Sequence, residues 1–142
     1  MKSAVLLVGH GSRRAEANDA LFRLEALVSR KRPGSILAHA FLQLAQPDVH
    51  TAIAQLDEEG VEEITIVPVF LYEGVHIKED FPEILAIEVA KRPHLRLVLA
   101  PVMGIDERMA EIIWDRVVIS AADAASLATI YIPGGRELYE RF

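Results

Sequence analysis

The chain has no cysteine among its 142 residues. This absence excludes disulfide bonds, iron–sulfur ligation by this chain and zinc sites built on thiolates. Any metal ion must then be bound by imidazole, carboxylate, carbonyl or water ligands. Those ligands suit divalent iron, cobalt, nickel or zinc.

Long apolar runs are also missing. Although 51% of the residues are hydrophobic, no apolar run reaches the roughly 18 residues that a membrane-spanning helix needs. The chain starts on a strand-like segment without a basic and apolar leader, so we expect a cytoplasmic protein with no membrane partner. The net charge of −6 leaves no basic stripe for phosphates, which argues against nucleic-acid binding.

Apolar strand-like runs alternate with segments of helical spacing along the chain. The pattern predicts strands at 4–8, 35–42, 63–69 and 95–100, and helices at 14–30, 47–59, 79–91 and 106–119. The first and third strands are nearly continuous apolar runs, which is typical of a parallel sheet covered on both faces. We therefore predict an α/β fold with a three-layer, open parallel sheet of about four strands in the order 2-1-3-4, flavodoxin-like, with helices on both faces.

The same spacing predicts which helix side chains face the core. They are Phe81, Ile84, Leu85 and Val89 in the third helix, and Met109, Ile112, Ile113 and Val117 in the fourth. After the fourth helix follow a strand at 127–132, a glycine turn and a helical-looking segment at 136–142. We therefore expect one domain at 1–122 and a tail at 123–142, which is either an added edge strand or the start of a second βα repeat or domain.

Two histidines stand where strands of the predicted sheet end. His10 follows the first strand in a turn bracketed by glycines, and His76 follows the third strand after another glycine turn. In the order 2-1-3-4 these two strands flank the switch point, where open α/β sheets bind ligands at their carboxyl ends. Two imidazoles in one crevice can bind a divalent metal ion or transfer protons. The sequence therefore predicts His10 and His76 as catalytic and metal-binding residues.

Plainer interpretations of these segments remain open. The turn at 9–13 could be an ordinary βα turn whose histidine caps the helix, or its free N–H groups could bind a phosphate. It lacks the glycine spacing of dinucleotide-binding folds and the ending of a P-loop. Ser12 does not stand in a nucleophile elbow. His76 alone could be a solvated loop residue, and Asp80 could simply cap the next helix.

Polar and cationic side chains surround the two histidines in sequence. Arg13, Arg14 and Lys78 could bind anionic groups of a substrate. Gln43 ends the strand next to the first one, so its amide could reach the same crevice, where it can hydrogen-bond but cannot accept a proton. His39 is expected to pack in the fold or at an interface, and we assign no role to His50 or His94.

Three segments resemble the CbiX/SirB group of small class II chelatases. They are LLVGHGSR at 6–13, AFLQLAQPD at 40–48 and VPVFLYEGVHIKEDFP at 67–82. The resemblance covers about residues 3–120. It implies a chelatase-like fold and an enzyme that inserts a divalent metal, with Co²⁺ expected and Fe²⁺ or Ni²⁺ as alternatives, into sirohydrochlorin. It also implies metal binding by His10 and His76, no organic cofactor, and a homodimer or a pairing with a second chelatase-like half.

The chain departs from this family at one position that bears on chemistry. Family members often have Glu where this chain has Gln43, and a carboxylate there is a reasonable base for the pyrrole N–H protons. Gln46 also stands where an acidic residue is common.

Two rival functions remain beside the chelatase. One is a non-catalytic metal- or tetrapyrrole-binding domain of a larger protein. The other is a phosphate- or nucleotide-binding domain that uses the 9–12 turn and leaves His76 unexplained.

Overall fold

The structure is a computed structural model that describes the backbone of residues 1–122, 127–132 and 136–141, and the side chains of residues 1–75 and 77–119. Its contacts divide the chain into two compact units, Met1–Gly104 and Ile105–Phe142. The first unit contains β1 (Ser3–Gly9), α1 (Ala15–Lys31), β2 (Ile36–Phe41), α2 (Val49–Glu58), β3 (Glu63–Pro68), α3 (Phe81–Lys91) and β4 (Arg96–Leu99). A π-helical turn, His76–Asp80, precedes α3.

The four strands of the first unit form one parallel sheet in the order β2-β1-β3-β4. The predicted α/β fold and strand order are therefore confirmed. β1 lies in the middle, and Val8 is in register with Ala40 on β2 and with Pro68 on β3. The carboxyl ends of these three strands thus meet at the same edge of the sheet.

The core lies on both faces of this sheet because alternate side chains of β1 point to opposite sides. Ala4, Leu6 and Val8 belong to a large cluster with buried residues of α2 and α3. Leu7 instead packs with Leu21 of α1 and with Phe41. Burying each large apolar side chain stabilises the fold by about 1.5–3 kcal/mol. Because both faces of β1 are buried, its sequence is a continuous apolar run.

The core-facing prediction for α3 is wrong at its last position. Phe81 is fully buried and Ile84 and Leu85 are partly buried, but Val89 is 50% exposed and Glu88 is only 1% exposed. Glu88 tolerates burial because its carboxylate is paired: His50 Nδ1 lies 2.5 Å from one oxygen, and Arg92 donates to the other. A buried charge is acceptable only with such partners.

The paired carboxylate belongs to a longer chain of charged side chains between α2 and the end of α3. Arg92 Nε lies 3.2 Å from Asp57 Oδ2, and His94 Nε2 lies 2.7 Å from Asp57 Oδ1. The hydrogen bond from His94 lowers the pKa of Asp57. His50 and His94, to which the sequence assigned no role, thus both contact carboxylates. His39 packs within the fold as expected, with Nδ1 2.5 Å from Glu25 and its ring edge-on to Phe22.

The second unit contains α4 (Glu107–Ala122) and an antiparallel pair of strands, β5 (Leu127–Ile132) and β6 (Arg136–Arg141). The helix predicted at 136–142 is therefore wrong, since 136–141 is a strand and residue 142 lies outside the described residues. The predicted buried face of α4 is also wrong: Ile112, Ile113 and Val117 are exposed and Met109 is half-buried. The predicted boundary at 122/123 adjoins residues outside the described ones and stays a prediction.

No helix within the described residues is both long and apolar enough to cross a membrane.

Candidate functional site at the carboxyl end of the sheet

The candidate site is a cavity of about 430 Å³ at the carboxyl ends of β1 and β3. It is lined by His10, Val69, Phe70, Leu71, Tyr72, Gly74 and Ile77. A cavity of this size is in the range of small-molecule sites, and it lies at the switch point where parallel α/β sheets bind ligands. His10 therefore lies where the sequence predicted a ligand crevice.

The segment that carries His76 borders the same cavity. His76 is the first residue of the π-helical turn. Gly74 and Ile77, which stand on either side of it, line the cavity together with His10. The carbonyl of Gly74 accepts hydrogen bonds from the amides of Ile77 and Lys78, which fixes the start of the turn. The side chain of His76 lies outside the described residues, so its role as a metal ligand stays a prediction.

His10 also lines a second cavity, of about 380 Å³, between the first turn and α1. Its walls include Gly9, Ser12, Asn18 and Phe41. The exposed imidazole of His10 thus borders both cavities.

The imidazole of His10 stacks on the ring of Phe70. The two ring centroids are 4.1 Å apart and the planes differ by 18°. Phe70 in turn contacts Phe81 edge-on, with centroids 6.2 Å apart and an interplanar angle of 65°. Sequence reasoning missed Phe70 and its neighbours Leu71 and Tyr72. Their signal was present, because the apolar run that forms β3 continues past Pro68, where the strand ends.

The backbone of Gln43 contacts the turn that holds His10. Its N–H donates to the carbonyl of His10 at 3.1 Å, and the N–H of Leu42 donates to the carbonyl of Gly9 at 3.0 Å. Gly11 has φ +90°, and a Cβ there would lie 1.7 Å from the carbonyl oxygen of Gln43. Only glycine allows this approach. Gln43 is exposed, and its backbone is fixed beside His10.

Two N–H groups of the first turn donate hydrogen bonds within the protein. The Ser12 amide donates to Asn18 Oδ1 at 2.9 Å, and Asn18 Nδ2 donates back to the Ser12 carbonyl. The Arg14 amide donates to the Ser12 hydroxyl at 3.1 Å. A phosphate would have to displace these bonds, so the geometry disfavours the phosphate-binding interpretation of this turn.

The three predicted cations are exposed on the segments that carry the histidines. Arg13 and Arg14 lie between β1 and α1, and Lys78 lies in the π-helical turn. Exposed apolar side chains also follow the strand ends. They are Leu44 after β2, Leu71, Tyr72 and Val75 after β3, and Met103 after β4. This apolar rim, defined by those five residues, adjoins the cavity through Leu71 and Tyr72.

Among the described side chains, no group of three or more His, Asp or Glu is arranged as a metal cage.

The molecule thus has a four-stranded parallel α/β sheet with a histidine-lined cavity at its switch point. The CbiX family model matches residues 4–120. The chain therefore belongs to the CbiX family, the CbiX/SirB group of metal chelatases.

Individual relatives agree with this assignment. The chain is 39% identical over 87 residues to a sirohydrochlorin cobaltochelatase from Methanococcoides burtonii, covering 61% of this chain and 66% of that protein. It is 35% identical over 131 residues to one from Methanothermobacter thermautotrophicus, covering 82% and 91%. A sirohydrochlorin ferrochelatase from Bacillus subtilis is 30% identical over 118 residues, and this chain spans only 44% of its length.

A solved structure shows the same fold. The sirohydrochlorin chelatase SirB from Bacillus subtilis subspecies spizizenii, in complex with cobalt, superposes with a TM-score of 0.78 at 28% identity. The match covers 84% of this chain and 51% of that one. The chain thus spans about half the length of the Bacillus proteins and nearly all of the Methanothermobacter protein.

Proposed function

We propose that this protein is a sirohydrochlorin chelatase that inserts a divalent metal ion. The observation that carries the proposal is the placement of His10 on a cavity at the β1–β3 switch point, with Gly74 and Ile77 on either side of His76 lining the same cavity. Relatives named for this activity support it.

Metal insertion has two chemical requirements. The macrocycle must release two pyrrole protons as it gains one M²⁺ ion, so the site needs weakly held metal and a proton acceptor nearby. A neutral imidazole is a borderline metal ligand with an ordinary pKa of about 6.5, and it can serve both needs near neutral pH. In this proposal His10 and His76 bind the ion on one face of the macrocycle and accept protons as it transfers.

The surroundings fit a flat, polyanionic substrate. The apolar rim would contact the face of the macrocycle, since exposed apolar side chains gathered at one edge indicate a binding surface. Arg13, Arg14 and Lys78 would pair with peripheral carboxylates, and the amide of Gln43 would hydrogen-bond beside His10.

Cobalt is the metal we propose, with Fe²⁺ and Ni²⁺ as alternatives. Affinity for nitrogen ligands rises from Fe²⁺ through Co²⁺ to Ni²⁺, so supply in the cell decides more than ligand type. We further propose a cytoplasmic enzyme whose chelatase domain is 1–122, which needs no organic cofactor and which acts as a homodimer or beside a second chelatase-like half.

A second candidate is a non-catalytic domain that binds the metal or the tetrapyrrole without turnover. The observation that favours it is Gln43, whose backbone contacts the His10 turn and whose side-chain amide cannot take a proton. This function predicts stoichiometric Co²⁺ binding through the histidines with no acceleration of insertion.

The test is anaerobic absorbance of sirohydrochlorin with Co²⁺ and the purified protein. Insertion well above the spontaneous rate, lost in both His10→Ala and His76→Ala, supports the chelatase. His94→Ala is the matched control, because that histidine is exposed and paired with Asp57 outside the cavity. Equal activity in all four proteins would overturn the proposal, and Co²⁺ binding without acceleration would favour the second candidate.

A further inference from the structure

We propose that Phe70 is a positioning residue that holds the imidazole of His10 in the orientation needed for metal capture. This inference rests on the proposed function for its metal, and it concerns a residue that does not itself touch the ion. The rings of His10 and Phe70 stack with their centroids 4.1 Å apart and their planes 18° from parallel. Stacking engages a face of the imidazole, whereas metal ligation uses a nitrogen lone pair in the ring plane.

Phe70 is itself held from several sides. It is only 7% exposed. Its carbonyl accepts hydrogen bonds from the amides of Met103 at 3.1 Å and Gly104 at 3.3 Å. The preceding amide, of Val69, donates to the carbonyl of Val8 at 2.8 Å. The backbone under Phe70 is therefore tied to both β1 and the segment after β4, so its ring is a fixed surface for His10.

The ring of Phe70 also connects the two histidine-bearing segments. Its edge-on partner Phe81 is fully buried. Phe81 is the first residue of α3 and follows directly on the π-helical turn that begins at His76. Two successive ring contacts thus connect the ring of His10, through Phe70, to the first residue of the helix that follows the His76 segment. A two-histidine metal site needs this relation, because ligands held in place before binding lose less entropy when the ion arrives.

Stacking on Phe70 restricts the orientation of the imidazole plane, which a hydrogen bond to one ring nitrogen does not do by itself. A ring stacked on one face keeps the orientation of its plane, and the nitrogen lone pairs of His10 lie in that plane. Aromatic pairs of this kind, together with supporting contacts around metal ligands, are expected to change Co²⁺ affinity by roughly 3- to 30-fold.

The test compares Phe70→Leu with Phe70→Tyr, which restores an aromatic ring. Ring-current shifts of the His10 imidazole protons in the metal-free protein report the stack directly. Binding of Co²⁺ alone is followed by its d–d absorption, and insertion is followed as separate kcat and KM. We expect Phe70→Leu to remove the ring-current shift, weaken Co²⁺ binding and lower kcat with little change in KM, and Phe70→Tyr to restore all three.

Val61→Ala is the matched control for lost stability. Val61 is 2% exposed and precedes β3, at the opposite end of the sheet from His10. It should destabilise the fold without changing Co²⁺ affinity or the His10 resonances. Unchanged Co²⁺ affinity in folded Phe70→Leu, or an equal loss in Val61→Ala, would overturn the inference. His10-dependent Co²⁺ binding without insertion in the wild type would overturn only the chelatase, and absence of Co²⁺ binding would overturn both.

Discussion

The carbonyl oxygen of Gln43 occupies the space that a Cβ on Gly11 would need, at 1.7 Å. Together with the hydrogen bond from the Gln43 amide to the His10 carbonyl, this contact joins the end of β2 to the turn after β1. The position of His10 therefore depends on a glycine that follows it and on the backbone, not the side chain, of Gln43.

We predict that Gly11→Ala destabilises the protein and weakens Co²⁺ binding. Gly34→Ala is the control, because Gly34 has a similar φ of +87° but nothing within 4 Å of the added Cβ. The left-handed backbone alone costs about 1–2 kcal/mol in either variant. Gly11→Ala should lose about 1–3 kcal/mol more, as overpacking does. Urea unfolding measures the difference in unfolding free energy between the two variants. Equal losses in Gly11→Ala and Gly34→Ala would show that the contact with Gln43 is not tight.

The side-chain amide of Gln43 cannot accept a proton, so a carboxylate at this position is expected to supply a base for metal insertion. Gln43→Glu should raise the insertion rate by roughly 10- to 100-fold, because a carboxylate beside His10 can accept a pyrrole proton. The gain requires the ionised form, so it should be present above the ordinary pKa of about 4.3 and disappear below it. Gln55→Glu, the same change on α2, is the charge control. An unchanged rate in Gln43→Glu would mean that proton removal does not limit insertion.

Much of the fold and the place of the site could be predicted because they depend on local patterns. Alternating strand and helix segments with right-handed crossovers leave few sheet orders, and a histidine just after a strand must lie at the sheet edge. His10 and the backbone of Gln43 lie there.

Features that depend on partners distant in sequence could not be predicted. The burial of Glu88 requires His50, 38 residues away on another helix, and a periodicity argument counts only neighbours on the same helix. The Phe70 stack depends on how two side chains turn where the ends of β1 and β3 meet, and the strand order alone does not determine that. The π-helical turn begins at His76 rather than at the predicted helix start near 79, because Gly74 accepts from Ile77 and Lys78.

Acid stability should depend on the cap of α2. The carboxylate of Asp48 accepts a hydrogen bond from the Thr51 amide at 2.8 Å, which lowers the pKa of Asp48 below its ordinary value of 3.8. A lowered folded-state pKa contributes stability that is present above the ordinary value and is lost as pH falls through the folded value.

The variants Asp48→Asn and Asp48→Ala separate the charge from the cap. Asparagine caps a helix about as well as aspartate, so Asp48→Asn should be close to wild type at pH 7 but lose less stability below about pH 4. Asp48→Ala should lose about 1 kcal/mol at pH 7. Thermal unfolding from pH 7 to pH 2.5 checks both. If stability falls equally with decreasing pH in the wild type and in Asp48→Asn, the lowered pKa of Asp48 does not contribute to acid stability.

The buried carboxylate of Glu88 should be the costliest charge to remove from the first unit. Glu88→Gln keeps the shape but loses the ion pair with Arg92, and breaking a buried pair costs about 3–5 kcal/mol. Because Arg92 keeps Asp57 as a partner at 3.2 Å, we expect the lower end of that range. Glu83→Gln, an exposed change on the same helix, should stay within about 0.5 kcal/mol of wild type.

Urea unfolding gives both values, and equal effects of the two substitutions would contradict the burial of Glu88 as a paired charge. Glu88 lines neither cavity that borders His10. Folded Glu88→Gln should therefore bind Co²⁺ as the wild type does, whereas Phe70→Leu should not. A loss of Co²⁺ affinity in Glu88→Gln at a temperature where it is fully folded would mean that the packing of α3 on α2 also sets the position of the π-helical turn.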